Sequence, residues 1–307
     1  MPANDIFDLE AAAASLPNLP APVHRQRPEA LERRLGDARL RFISDGAMSL
    51  PFRALGPEVS AEVLADAFGF PTPPVLGRGD LTALLIEIGS DLVLIDAGGG
   101  HAWQEGAGHL MAHLAANSVA PESVTALVLT HLHPDHAWGA LTPTGDPAFP
   151  NARVIVGAQE AKFWSEPGLE VIVRPAFRPT VIGAAHVLTR LAERLVKLRE
   201  GDAVAPGLHI LDTPGHSPGH ISLLLETSSG PDLIITGDAV VNDQISFSHP
   251  DWAFGFDSDA PTAILSRRRL LEMAADGGHL MTGYHWSWPG LGHAERTGAA
   301  FRFVPSA

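Results

Sequence analysis

The chain has 307 residues, 45% of them hydrophobic and 18% charged, a composition that excludes disorder and fibrous architecture and supports one large or two small cores. Its 21 Lys and Arg face 35 Asp and Glu, a formal charge of −14 that opposes nucleic-acid phosphates and anionic lipid but suits bound cations. Cysteine is absent, so disulfides, thiolate nucleophiles and thiolate metal sites are excluded, and any metal chemistry falls to carboxylates and the 15 histidines.

In chain order, residues 1–37 are rich in Pro, Ala and charge and read as an N-terminal arm, with 29–34 its only helix-like stretch; residues 38–307 read as a single domain. Asp5, Asp8 and Glu10 stand where a secretory signal needs a basic region, so a cytoplasmic location is expected. No segment approaches the roughly 18 uninterrupted apolar residues of a membrane helix. Pro71, Pro73 and Pro74 mark a loop before the first strong strand, 81–88. Gly89-Ser90 then predicts a type II′ hairpin to a strand over 91–96. A helix follows over 103–117, and after a start signal at Pro121-Glu122 the apolar strand 125–130 runs into His131-Leu132-His133-Pro134-Asp135-His136. Pro134 predicts a tight loop there, with neither a regular helix nor a central strand.

Beyond it come a strand over 153–157 and a helix over 181–199, with Leu188, Leu191, Leu195 and Leu198 on one face and a Glu193–Lys197 pair. Strands over 208–211 and 221–226 flank Thr213-Pro-Gly-His216-Ser-Pro-Gly-His220, and a strand over 233–236 ends at Gly237-Asp238. The last helix starts at Ser258 or Asp259, carries Pro261 in its first turn and stops at Gly277-Gly278; Arg267, Arg268 and Arg269 read as its solvated face. A strand over 280–283 delivers His285.

Metal-competent residues thus recur where strands end, the places from which a rigid sheet presents a site. His131, His133, Asp135 and His136 fall within six residues, and a tight loop can turn two of them to each side, which suits two adjacent cations better than one. Imidazole favours zinc-like ions, and a carboxylate can bridge. His216, Asp238 and His285 complete a set of five histidines and two carboxylates. The alternative is a His-rich surface turn with no metal.

This order of HxHxDH, a later His, a later Asp and a final His resembles the metallo-β-lactamase-fold hydrolases from residue 81 to the end of the chain. The resemblance implies an α/β, four-layer αββα sandwich holding two divalent ions, most simply Zn2+. Carried over by position, His131, His133 and His216 hold the first ion, Asp135, His136 and His285 the second, and Asp238 bridges them. Asp96, in Leu-Ile-Asp96-Ala-Gly, and Thr130 would support the ligands from behind, although an Asp in a turn can equally serve backbone amides. His220 reads as a structural hydrogen-bonding histidine.

The C-terminal third, with Phe256-Asp-Ser-Asp259, His285-Trp-Ser-Trp-Pro-Gly-Leu-Gly-His293 and Phe301-Arg-Phe-Val-Pro305, looks like the methyl parathion hydrolase branch and its lactonase relatives. That branch implies a homodimer hydrolysing organophosphate triesters, lactones or aryl esters through a metal-bridging hydroxide, with Asp135 or Asp238 moving the proton. Acyl-homoserine lactonases commonly carry a Tyr shortly after the bridging Asp, and 237–243 has none. Trp103 and Trp164 are expected pocket walls, and Phe247, Trp252, Phe254 and Phe256 crowd the loop after Asp238, with Phe247 and Trp252 expected to roof the site. Two alternatives share the ligand pattern: a glyoxalase-II-like thioesterase and an acyl-homoserine lactone-specific, quorum-quenching lactonase. The partner expected is a small molecule, with neither nucleic acid nor membrane.

Overall fold

The computed structural model describes residues 30–173 and 175–306. Among the described residues, the stretch 30–198 builds one seven-stranded sheet in sequence order: β1 (Ala30–Leu35), β2 (Ala38–Pro51), β3 (Leu76–Ile88), β4 (Asp91–Ile95), β5 (Ala126–Leu129), β6 (Arg153–Gly157) and β7 (Leu195–Leu198). The second half builds another: β8 (Ala203–Ala205), β9 (Leu208–Asp212), β10 (Ile221–Leu225), β11 (Leu233–Ile235), β12 (Leu280–Thr282), β13 (Leu291–Thr297) and β14 (Ala300–Pro305). The helices are α1 (Ala61–Ala67), α2 (Leu110–Ala116), α3 (Pro134–Ala137), α4 (Ala158–Trp164), α5 (Leu169–Ile172), α6 (Arg178–Arg190), α7 (Ile245–Ser248) and α8 (Ala260–Gly277).

The layers follow from which faces are apolar. Phe42, Ile86, Val128 and Ile155 of the first sheet pack against Ile210, Ile221, Leu223 and Ile235 of the second, forming the inner core. The outer face of the first sheet buries Leu85, Leu94, Leu127 and Val156 under Leu114 of α2 and Val181, Ala184 and Leu188 of α6. The outer face of the second buries Ile234 and Met281 under Leu270, Leu271 and Ala274 of α8. This is the expected αββα sandwich. Strands β4 to β7 run parallel, as do β11 and β12, so the chain leaves several strands at the same edge of the sandwich. No helix among the described residues is long and apolar enough to cross a membrane.

Several elements differ from the sequence reading. The helix-like stretch 29–34 of the expected arm falls largely on β1, an edge strand paired with β2; Leu31 and Leu35 share a face in a strand as well as in a helix, so the pattern was ambiguous. The expected helix 103–117 is helical only from Leu110, because backbone N–H groups of Gly99, Gly108 and Leu110 are tied to the buried Asp45 carboxylate, and Gln104 pairs with the Ser49 backbone. The helix expected over 181–199 is Arg178–Arg190 followed by a strand, β7, that pairs in parallel with β6; the open edge of the sheet claims Leu195 to Leu198, overriding their helical spacing. At Pro134 the chain does form a turn of helix: proline occupies its first turn, where no backbone donor is needed. The 89–90 hairpin has Gly89 at φ 60°.

Arg267 is not part of a solvated face. Its side chain is 2% exposed, beside Asp257, with one guanidinium nitrogen donating to the carbonyls of Pro250 and Trp252.

Candidate metal centre

Each ligand candidate sits just past a strand end. His131 and His133 follow β5, His216 lies between β9 and β10, Asp238 follows β11, and His285 follows β12. Asp135 and His136 lie on α3. Their donor atoms fall into three overlapping groups, in each of which the atoms lie within 4.8 Å of one another: His131, His133 and His216; His131, His136 and Asp238; and Asp135, His136 and His285. Asp238 is therefore grouped with one member of each His-rich set.

The nitrogens facing away from the centre are held by the surrounding structure. Asp96 Oδ2 lies 2.8 Å from His136 Nδ1, and Asp96 Oδ1 accepts from the Thr130 amide at 2.8 Å. The Thr130 hydroxyl donates to Asp96 Oδ2 at 2.9 Å and lies 3.1 Å from His131 Nδ1. Asp96 has φ 62°, a left-handed conformation that is uncommon outside glycine and here aims the carboxylate back under the ligands. His216 Nδ1 lies 3.1 Å from Asp257 Oδ1, and His285 Nδ1 lies 3.0 Å from the Asp80 carbonyl. His220 works from behind as well, accepting from the Asp238 amide through Nε2 at 2.9 Å.

With the outer nitrogens engaged, the inner ones converge on one another. His131 Nε2, His136 Nε2 and Asp238 Oδ1 are buried and have no hydrogen-bond partner. His133 Nδ1 faces His216 Nε2 at 3.0 Å. His285 Nε2 lies 3.2 Å from both Asp135 Oδ2 and Asp238 Oδ2. Buried polar atoms left without partners are costly, and a convergent set of lone pairs is satisfied by cations.

Electrostatically the centre has two halves. Burial lowers the pKa of His131 well below the ordinary imidazole value, and burial, reinforced by His216, lowers His133 to about 3. Burial also opposes protonation of His136 and His285, but Asp238 and Asp135 outweigh it, holding His136 well above the ordinary value and His285 up to about 10. Burial opposes ionisation of Asp238, which the neighbouring His285 and His136 nevertheless keep well below the usual carboxylate range. Without ions, burial disfavours protonation of His131 and His133, while the other side balances carboxylates with imidazolium.

The centre floors a cleft of about 420 Å³ lined by Trp103, Trp138, Phe254 and Phe256. A second, apolar chamber of about 250 Å³ touches it at His133 and His216 and is walled by Phe163, Trp164, Phe177 and Phe256. Trp103 thus lines the cleft and Trp164 the chamber. Phe247 does not: it is fully buried beneath the second sheet between Trp286 and Phe303. Trp252 is also outside both cavities, stacked on His249 at 3.9 Å. In both cases the aromatic density of the loop serves packing. Tyr284, the single tyrosine of the chain, is buried and donates its hydroxyl to the Asp135 carbonyl at 2.8 Å.

Three supporting residues have no local pattern that gives their role. Asp257 lies within the FDSD segment but is separated from His216 by 41 positions; Glu160 is a single carboxylate in an Ala-rich helix; Asp45 sits within a strand. A charged residue on an otherwise apolar face, just past a strand end, was the available signal for Glu160.

The sequence profile of the metallo-beta-lactamase superfamily matches residues 76–281, more than half of the chain. The chain belongs to the metallo-beta-lactamase superfamily. Within this superfamily it is similar to an N-acyl homoserine lactonase of Bacillus sp, 33% identical over 154 residues covering 50% of this chain and 52% of that protein. The chain thus spans about half the length of the curated relatives it matches. Among solved structures, the hydrolase AbOPH of the beta lactamase superfamily is 27% identical, with a TM-score of 0.83 over 92% of this chain and 99% of that one. AidC, a dizinc quorum-quenching lactonase solved with the product N-hexnoyl-L-homoserine, shares the fold at TM-score 0.84 and 23% identity, covering 92% of this chain and 99% of that one.

Proposed function

We propose that this chain is a dinuclear metal-dependent hydrolase acting on neutral, apolar lactones, aryl esters or organophosphate triesters. One observation carries the reading: the convergent ligand set opens onto cavities with aromatic walls and, among the described residues, no lysine or arginine lining them. His131, His133 and His216 would hold one cation and Asp135, His136 and His285 the other, with Asp238 between them. An imidazole-rich donor set without thiolates fits Zn2+. Two divalent ions supply there a water acidified towards neutral pKa and a Lewis acid for the scissile oxygen.

The protein's own groups do the rest. Asp96, Thr130, Asp257 and the Asp80 carbonyl orient the imidazoles, so that each, once its inner nitrogen is deprotonated, would present a lone pair inward. Asp135 or Asp238 would take the proton of the attacking water and return it to the leaving oxygen. Trp103, Trp164 and Phe256 exclude water and stack on flat or extended apolar substituents. The proposed working form is a cytoplasmic homodimer with a small-molecule substrate.

The discriminating experiment is a hydrolysis screen of the zinc-loaded protein over lactones, aryl esters, phosphotriesters, a β-lactam and a glutathione thioester. The first three classes should be turned over. A glutathione thioester as best substrate would reverse the reading in favour of the thioesterase alternative, whose anionic substrate asks for cations that the described lining of these cavities does not supply. Trp103→Ala should lower kcat/KM for a bulky aryl ester by about tenfold, the order of one lost aromatic contact with its buried area, while sparing a small aliphatic lactone and leaving metal content unchanged. Equal losses on both substrates would remove Trp103 from the pocket.

Loading should also release protons. His136 and His285 have raised pKa values without ions, so at neutral pH each holds a proton that a cation must displace; metal affinity should therefore fall as pH falls. Calorimetric titration with Zn2+ in buffers of different ionisation heat should give a release of about two protons per chain at pH 7. No buffer dependence would place the ions elsewhere.

A further inference from the structure

Beneath the three-His side of the centre lies a carboxylate that the proposed reaction does not use. Glu160, on α4, is fully buried and lines neither cavity. Its four hydrogen bonds divide evenly. Oε1 accepts from the Leu132 amide at 2.9 Å and from Trp164 Nε1 at 2.7 Å. Oε2 accepts from the Ser217 hydroxyl at 2.7 Å and the Gly219 amide at 2.9 Å. Leu132 stands between His131 and His133, and Ser217 follows His216 directly. One side chain therefore joins the two loops that carry the three-His set, and through Trp164 it joins them to the wall of the apolar chamber.

The backbone around this bracket has no slack. A Cβ at Gly219 would stand 1.9 Å from the Glu160 amide nitrogen, and one at Gly157 would stand 2.3 Å from the Gly219 carbonyl oxygen. The loop after His216 is thus pressed against the first turn of α4, and the carboxylate spans the gap to the loop after β5.

We propose that Glu160 is a positioning residue that sets the distance between the His131–His133 loop and His216, and thereby the affinity of the first cation site, independently of the second. The proposal rests on the dinuclear reading above. His136, Asp135 and His285 are anchored by other groups, Asp96 and the Asp80 carbonyl among them, so they have no hydrogen bond to Glu160 to lose.

Donor chemistry makes the isosteric variant informative. In Glu160→Gln an amide NH2 in place of Oε1 would face two N–H groups, whereas in place of Oε2 it would face the Ser217 hydroxyl, which can turn to accept, and the Gly219 amide. The second orientation wins. The variant keeps Leu132 and Trp164 bound and releases the loop behind His216.

The test strips the full chain and titrates Zn2+ against a chromophoric chelator to obtain two stepwise affinities, for wild type, Glu160→Gln and Ser217→Ala. Glu160→Gln should weaken one ion by about tenfold or more and leave the other within about twofold, with the Co2+ absorption of one site altered. For an aryl ester kcat should fall with KM nearly unchanged, because Trp164 stays in place. Ser217→Ala should weaken the same ion by a smaller factor, and it decides the matter by the same readout if Glu160→Gln does not fold. Equal weakening of both ions, or two unaltered affinities, would overturn the inference alone. A wild type holding fewer than two ions overturns the dinuclear reading and this inference with it.

Discussion

Asp238→Ala should strip the centre of both cations and lower kcat/KM by about 10³-fold, the order expected when several kcal/mol of electrostatic stabilisation is removed. Asp238 is 3% exposed; its Oδ1 has no hydrogen-bond partner and lies 3.3 Å from His136 Nε2, and its Oδ2 lies 3.2 Å from His285 Nε2 and 3.4 Å from His216 Nε2. It thus touches histidines of both proposed sites. Without it, His136 and His285 lose the first of the charges that hold their protons, and the positive charge that two cations bring has one fewer carboxylate to meet it. His285→Ala is the control, since it should weaken only the second site. Elemental analysis after zinc repletion reads both variants; two ions retained by Asp238→Ala would refute a bridging role.

The second large effect lies on the other side of His216. Asp257→Ala should destabilise the fold by about 3–5 kcal/mol, because it leaves the Arg267 guanidinium buried with its carboxylate partner gone. It should also weaken the first cation site by roughly 10–100-fold, because Asp257 Oδ1 holds His216 Nδ1 and so keeps Nε2 aimed inward. The two consequences can be separated. Adding Arg267→Met to Asp257→Ala removes the stranded charge, so much of the stability should return while the metal affinity stays low. Urea unfolding of the stripped chains measures the first, and chelator competition the second. If stability and metal affinity recovered together, His216 would be held by packing, such as the Phe254 ring stacked 5.8 Å away, and not by the carboxylate.

Both predictions concern side chains that are distant in sequence and adjacent in space, and they mark how far the sequence reaches. All seven metal-competent residues were legible in it, because a strand that ends in a polar, proline-broken motif has few places to put its side chains except into a site at the sheet edge. The αββα architecture was legible through the same motif order, and the inner strands through their unbroken apolar runs. Local pattern was insufficient where two structures share a spacing: Leu31 and Leu35 satisfy a strand as well as a helix, and Leu195 and Leu198 were claimed by the free edge of β6.

The sequence by itself therefore determined which metal-competent residues are available, the sandwich and the exclusion of thiolate chemistry, since these depend on residue type and short-range order. Tertiary structure alone decided which groups stand behind the donors and which aromatics face the cleft. Glu160, Asp257 and Asp45 reach Leu132, His216 and Leu110 across 28, 41 and 65 positions, and Phe247 and Trp252 turn into packing while Phe163, Phe177 and Phe256 turn to the chamber. A buried charge is tolerated only where the folded chain supplies its counter-charge or donors, and an aromatic ring faces solvent or core according to which layer closes over it, so neither is settled before the sheets and helices have packed.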